Sequence, residues 1–210
     1  MAMRLLHNMS YLFKGFLIGF AIAAPVGPIG VLCVRRTLAD GRLIGFVSGL
    51  GAASADTFYS AVAAFGLTAV QNVLIRQQAW LHLIGGGFLI YLGIRTFMTK
   101  PADRPAANAI GLGNVGAYLS TLGLTLTNPA TIISFLGVFV VLRLGGTTGS
   151  YVPAGILVIG VFLGSAAWWL TLSFIVSLVQ AKFSPTWMLR VNQIAGVVIA
   201  GFGLAALITL

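Results

Sequence analysis

Acidic residues are nearly absent from this chain. Only three aspartates and no glutamate occur among 210 residues, and all charged residues together make up 7%. An ordinary soluble domain carries about 25%. Beside a hydrophobic share of 59%, that shortage excludes the soluble globular classes, because a fold of this size has too little interior for so many apolar side chains. The single cysteine, Cys33, sits inside an apolar run and excludes an intramolecular disulfide. The two histidines, His7 and His82, lie near the ends of apolar segments, too far apart in sequence for a metal or haem pair. No metal site and no cofactor are expected. An embedded enzyme is disfavoured as well, since no HExxH, no second intramembrane aspartate and no Ser/His pairing occurs in the apolar runs. The composition is that of an all-α integral membrane protein.

What charge there is has one sign. Twelve Lys and Arg give a formal net charge of +9. They are scattered singly or in pairs at the ends of apolar runs, which suits anchoring to anionic lipid rather than a nucleic-acid face. The expected partners are therefore the lipid bilayer and a small solute, not nucleic acid. Arg35 and Arg36 read as such anchors, with a cytoplasmic gate as the lesser reading. Ala21-Ile22-Ala23 resembles a cleavage site, but the apolar run continues to Val34 and further runs follow, so the first segment is expected to be retained.

About 20 apolar residues cross the hydrocarbon as a helix. Six segments qualify: 12–34, 43–69, 80–98, 115–142, 153–179 and 191–210. The first, third and fifth connections carry eight basic residues (Arg35, Arg36, Arg42, Arg95, Lys100, Arg104, Lys182, Arg190) and the opposite side carries four (Arg4, Lys14, Arg76, Arg143). The positive-inside rule then places both termini of this multi-pass protein on the outer side of the membrane. Oligomeric state is left open, with a homo-oligomer among the options.

The halves, 1–105 and 106–210, resemble each other. Gly15 lies thirteen residues before Pro28, and Gly116 thirteen before Pro129. Ile84, Gly86 and Gly93 align with Ile194, Gly196 and Gly203, and Gly51 with Gly164. A repeat of three spans must enter the bilayer inverted, an architecture common in secondary transporters. The fold class expected is thus six transmembrane helices in two inverted three-helix repeats. The GxxxG pairs Gly45/Gly49 and Gly160/Gly164 read as close packing.

Spans 1 and 4 are interrupted. "FAIAAPVGPIGVLC" places Pro25, Gly27, Pro28 and Gly30 inside the first, and "LTLTNPATI" places Thr125, Thr127, Asn128 and Pro129 in the fourth. A proline removes its own N–H and frees the carbonyl four residues earlier, which for Pro129 is that of Thr125. In hydrocarbon such a break must face protein, water or ligand. Breaks at matching repeat positions expose half-helix ends that attract a carboxylate and carbonyls that attract an ammonium, as a zwitterionic amino acid requires. Asp56 is the one acid well inside a span. A carboxylate there costs about 2.5–3.5 kcal/mol, so it reads as a proton or cation site, with a neutral hydrogen-bonding role as the alternative. Tyr59 shares its helix face and offers a hydroxyl. Trp169 stands where the second half would carry the acid; it and Trp168 read as packing.

At "PVGPIG", "GFVSGLGAASADTFYS" and "LTLTNPATI" the chain resembles the LysE family of amino-acid exporters over nearly its whole length. Pro25, Gly27 and Pro28 match the family's first-span element, Asp56 its acidic position, and Asn128 and Pro129 its Asn-Pro. The resemblance implies a secondary transporter of the bacterial inner membrane, not an enzyme, driven by the proton gradient or by exchange. The outer side that holds both termini is then the periplasm. Pro25-Val26-Gly27-Pro28 has one residue more than the compact Pro-Gly-Pro of the homoserine and threonine branch and looks more like the basic-amino-acid branch, although Ile29 replaces the Gln frequent there. Lysine or arginine is the substrate expected on that ground. Efflux of an inorganic cation, as in related cadmium-resistance proteins, is the alternative.

Overall fold

The structure, a computed structural model, describes residues 2–25, 27–65, 77–99, 113–128, 131, 134–135, 151–180 and 185–208. Among the described residues there are seven helices and no strand: α1 (Ala2–Ala23), α2 (Pro28–Asp40), α3 (Arg42–Ala64), α4 (Gln78–Met98), α5 (Gly113–Leu126), α6 (Tyr151–Gln180) and α7 (Pro185–Ile208). Two of them, α6 and α7, are long and apolar enough to cross a membrane, and the bent pair α1–α2 makes a third. Only 33% of the apolar stretch of α6, and of α7, is buried within the chain. Leu170, Ile175, Leu178, Val197, Phe202 and Leu204 all point outward. An apolar surface of that kind matches hydrocarbon, not water.

The first apolar run does not continue as one helix. α1 stops where the amide of Ala24 donates to Phe20 at 3.1 Å, because Pro25 has no N–H with which to extend the ladder. The chain restarts with Gly27 as N-cap and Pro28 in the first turn of α2, a position where a missing N–H costs nothing. The two axes differ by 81°. α2 then passes into α3 through Gly41 alone, whose φ of 97° is open to glycine at little cost.

Close helix contacts are made at glycines. α1 lies parallel to α6, with Gly15 and Gly19 against the backbone of Leu157, Gly160 and Val161, and Gly164 against Phe16 and Phe20. α5 lies parallel to α3, where Gly51 meets the backbone of Tyr118 and Leu122. α4 and α7 run antiparallel, pairing Gly86 with Gly203 and Gly93 with Gly196. α3 and α6 are also antiparallel, with Gly49 against Trp169. Without a hydrophobic force between helices in lipid, backbone approach at small residues supplies the dispersion contact that holds them. One buried cluster joins Ala23, Ile29, Leu32, Cys33, Ala52, Ala53, Leu89, Leu92, Leu124, Trp169 and Ile199. A second joins Tyr59, Ala63, Phe135, Leu157 and Val161.

The α4–α7 seam gives a direct test. A Cβ on Gly196 would come within 2.6 Å of the Gly93 carbonyl, whereas Gly201 on the same helix has nothing within 4 Å. Gly196→Leu should lower unfolding stability in detergent by about 1–3 kcal/mol, with Gly201→Leu near wild type. Equal thermal unfolding curves for the two variants would show that the seam is not closely packed.

Candidate functional site

At the first break Pro28 and Gly30 are buried, Gly27 is half-buried and Pro25 is exposed. The Gly27 carbonyl accepts the first amide bond of α2, from Val31 at 3.0 Å. A side chain on Gly27 would project into open space. At the second break α5 ends at Leu126, followed by a turn at Thr127 and by Asn128; Pro129 lies outside the described residues. Thr125 and Asn128 are buried and Thr127 is half-buried.

Here the expectation of a loose carbonyl is corrected. The Thr125 carbonyl accepts the amide of Asn128 at 3.2 Å, and the Asn128 carbonyl accepts that of Thr131 at 3.1 Å. The Thr125 hydroxyl donates to Thr121 (2.8 Å) and that of Thr127 to Gly123 (2.9 Å). A tight local turn therefore repairs the helix end, as buried backbone polar groups demand. Gly85 of α4 packs against Thr127, which sets this break against a third helix.

Asp56 is buried in the middle of α3, and its partner comes from α6. The hydroxyl of Ser165, itself fully buried, donates to Asp56 Oδ2 at 2.7 Å. The sequence reading missed Ser165. Its one signal was position, next to Gly164 on the small-residue face of the opposite half. Tyr59 does not reach for Asp56. Its hydroxyl donates to the carbonyl of Leu126, the last residue of α5, and its ring stacks on Phe135 at 5.8 Å beyond the break. The helix that carries the acid is thereby fastened to both sides of the second break. Residues next to the two breaks, Ala23 and Ile29 at the first and Leu124 near the second, share one buried cluster with Ala52 and Ala53 of α3.

Trp168 packs as expected, edge-on to Phe20 at 5.3 Å. Trp169 is different. Its indole Nε1 and the hydroxyl of Ser173 are buried without a hydrogen-bond partner. Leaving a buried donor unmatched costs about 1–3 kcal/mol.

Arg36 is not a lipid anchor. It is 3% exposed, and its guanidinium donates to Ser48 (2.9 Å), Thr121 (2.8 Å), Ser120 (2.9 Å) and the Ala117 carbonyl (3.0 Å). The rigid donor fork of arginine lets one side chain tie α2 to α3 and α5 at once. Arg35 donates to Asn192 of α7 at 3.1 Å, and Asn192 to the Thr99 carbonyl after α4 at 3.0 Å. Among the described residues no three His, Cys, Asp or Glu side chains come together as metal ligands. Arg36→Met should lower stability by about 1.5–3 kcal/mol, the worth of a hydrogen bond to a charged group. Arg35→Met, which loses one half-buried contact, should cost less. Chemical unfolding in detergent measures both, and a larger loss for Arg35→Met would contradict this ranking.

Comparison with known proteins points to one family. The family model described as LysE type translocator matches residues 20–210. YcgF of Bacillus subtilis (strain 168), whose name provisionally assigns it to amino acid efflux, is 24% identical over 198 residues, covering 93% of this chain and 94% of that protein. The uncharacterized membrane protein YahN of Escherichia coli (strain K12) is 27% identical over 175 residues, covering 81% and 77%. The arginine exporter protein ArgO of Salmonella paratyphi A is 25% identical over 197 residues, covering 90% and 89%. No solved structure matches the chain.

Proposed function

The chain belongs to the LysE type translocator family, and from that premise we propose that it is a secondary transporter exporting amino acids, basic ones in the first place, across the bacterial inner membrane. The observation that carries this reading is the buried pair Asp56–Ser165, set between α3 and α6 and joined through α3 to the residues flanking both helix breaks. An acid kept there at several kcal/mol has a use if it binds and releases a proton or a cationic solute. The arginine export named for one relative agrees with a cationic substrate.

In this reading the six spans form two inverted triplets, 1–105 and 106–210. α1–α2, α3 and α4 belong to the first triplet, and α5, α6 and α7 to the second. The glycine contacts support the repeat. Exchanging Gly86 with Gly196 and Gly93 with Gly203 turns the pair Gly86–Gly203 into Gly196–Gly93, which is the other observed pair. The parallel contact of α1 with α6 corresponds to that of α5 with α3, and the corresponding helices α3 and α6 run in opposite directions. Arg35 bonds Asn192, which bonds the Thr99 carbonyl, and Arg36 bonds the Ala117 carbonyl, so helix ends beside the first, third and fifth connections lie on one side. That supports a cytoplasmic face there and periplasmic termini.

The substrate site lies between the breaks. Backbone and side-chain groups of Pro25, Gly27, Pro28 and Gly30 on one side, and of Thr125, Thr127, Asn128 and Pro129 on the other, surround the substrate. Asp56 takes a proton, or the substrate's cationic group, on one side of the membrane and releases it to the other as the triplets rock, by proton antiport or exchange. Tyr59 holds the second break in register with it.

Transport in proteoliposomes tests the reading. Wild type should move radiolabelled lysine or arginine in a gradient-dependent manner, and Asp56→Asn should be slower by about tenfold or more, the loss of one interaction with a charged group. An Asp56→Asn variant with wild-type rate and pH dependence would sink the mechanism.

A further inference from the structure

Two buried polar side-chain atoms in the described residues lack a partner, and they lie one helical turn apart. Trp169 Nε1 and Ser173 Oγ are four residues apart on α6, so they share a face. Trp169 is 4% exposed and Ser173 1%. Neither arrangement is the default. A buried indole N–H usually finds an acceptor, and a helical hydroxyl usually donates back along its own helix. On this same helix Thr171 donates to the Ala167 carbonyl and Ser177 to that of Phe174. Ser173 does not.

The two donors are also well placed. Trp169 lies against the backbone of α3 at Gly49, where a Cβ would come within 3.0 Å of the indole Cδ2. It belongs to the buried cluster that holds Ala23 and Ile29 beside the first break and Leu124 near the second. Its neighbour one turn back, Ser165, holds Asp56.

We propose that Trp169 Nε1–H and the Ser173 hydroxyl are the donor pair that receives the α-carboxylate of the exported amino acid, while its side-chain cation goes to Asp56. An indole N–H can only donate, so the ligand must bring an acceptor, and an anionic oxygen forms the stronger bond away from water. The spacing along the helix favours a long cationic substrate. At a rise of 1.5 Å per residue, Trp169 lies about 6 Å and Ser173 about 12 Å along α6 from Ser165. The long side chain of lysine or arginine, which holds its cation well away from the carboxylate, suits a donor pair set apart from the acid along the helix. The substrate lies lengthwise between α3 and α6, and this assignment rests on the export reading above.

The test separates the carboxylate from the cation. Lysine, cadaverine (lysine without its carboxylate) and arginine are offered to reconstituted wild type, Trp169→Phe and Ser173→Ala in counterflow. Trp169→Phe keeps an aromatic ring but loses the pyrrole part of the indole together with its N–H. Unfolding curves of each variant confirm that it folds, and cadaverine, which needs no carboxylate site, reports any effect of lost packing. Each variant should raise the lysine KM about tenfold, as loss of one hydrogen bond to a charged group implies, and leave cadaverine competition unchanged. Unchanged lysine KM, or equal weakening of lysine and cadaverine, overturns the proposal and leaves the pair to a bridging water or to packing. If wild type moves neither lysine nor arginine, the export reading fails, and sodium acetate against sodium chloride in thermal unfolding decides the donor pair. Stabilisation by acetate in wild type but not in Trp169→Phe upholds a carboxylate site; no stabilisation overturns it.

Discussion

Inside hydrocarbon no water replaces a missing hydrogen bond, and every polar group must find its partner in the chain or in a ligand. The break after Leu126 shows the constraint at work. A proline that removes a donor is answered by a turn in which Asn128 supplies the amide that the Thr125 carbonyl needs. Arg36 shows it on a larger scale, with a buried guanidinium satisfied by three hydroxyls and one carbonyl from two other helices. Asp56 and Ser165 satisfy it across the middle of the chain. Trp169 and Ser173 do not satisfy it within the described chain, and a ligand is proposed for them for that reason.

The same medium removes the hydrophobic drive that packs helices in water, so the frame is held by shape. Glycines let backbones approach between α1 and α6, α3 and α5, and α4 and α7. That frame sets α3 and α6 side by side in opposite directions, and it is what brings the acid of one half to the serine of the other. Seams built from glycine carry few interdigitating side chains across them. Such seams suit the proposed rocking of two triplets, which needs helices to tilt with little side-chain rearrangement.

Much of the site was legible in the chain, and the unread part has a common cause. Proline and glycine act locally, so the break at Pro25–Pro28 is visible as sequence and appears as an 81° change of direction. A lone acid in an apolar run is conspicuous for the cost it carries, and Asp56 is buried as that cost implies. Ser165 is one of several small residues on α6 and carries no local mark; only the packing of α3 on α6 singles it out. Tyr59 reads as a companion of Asp56 because both lie on one helix face, but a tyrosine hydroxyl extends well beyond its own turn and finds the carbonyl of Leu126. Arg36 reads as an anchor because arginine at the end of an apolar run usually is one. Its burial depends on three hydroxyl-bearing residues, Ser48, Ser120 and Thr121, that no sequence window holds together with it.

By itself, then, the sequence determined the medium, the helical class, the interruption of the first span and the presence of one costly acid, since composition, proline chemistry and desolvation all act at the level of single residues. Tertiary structure decided which groups answer one another: Ser165 for Asp56, Leu126 for Tyr59, the hydroxyl cluster for Arg36, and nothing within the described chain for Trp169 and Ser173. Partnership is a property of distance across helices, and in this chain those distances are set by where glycines let two backbones meet.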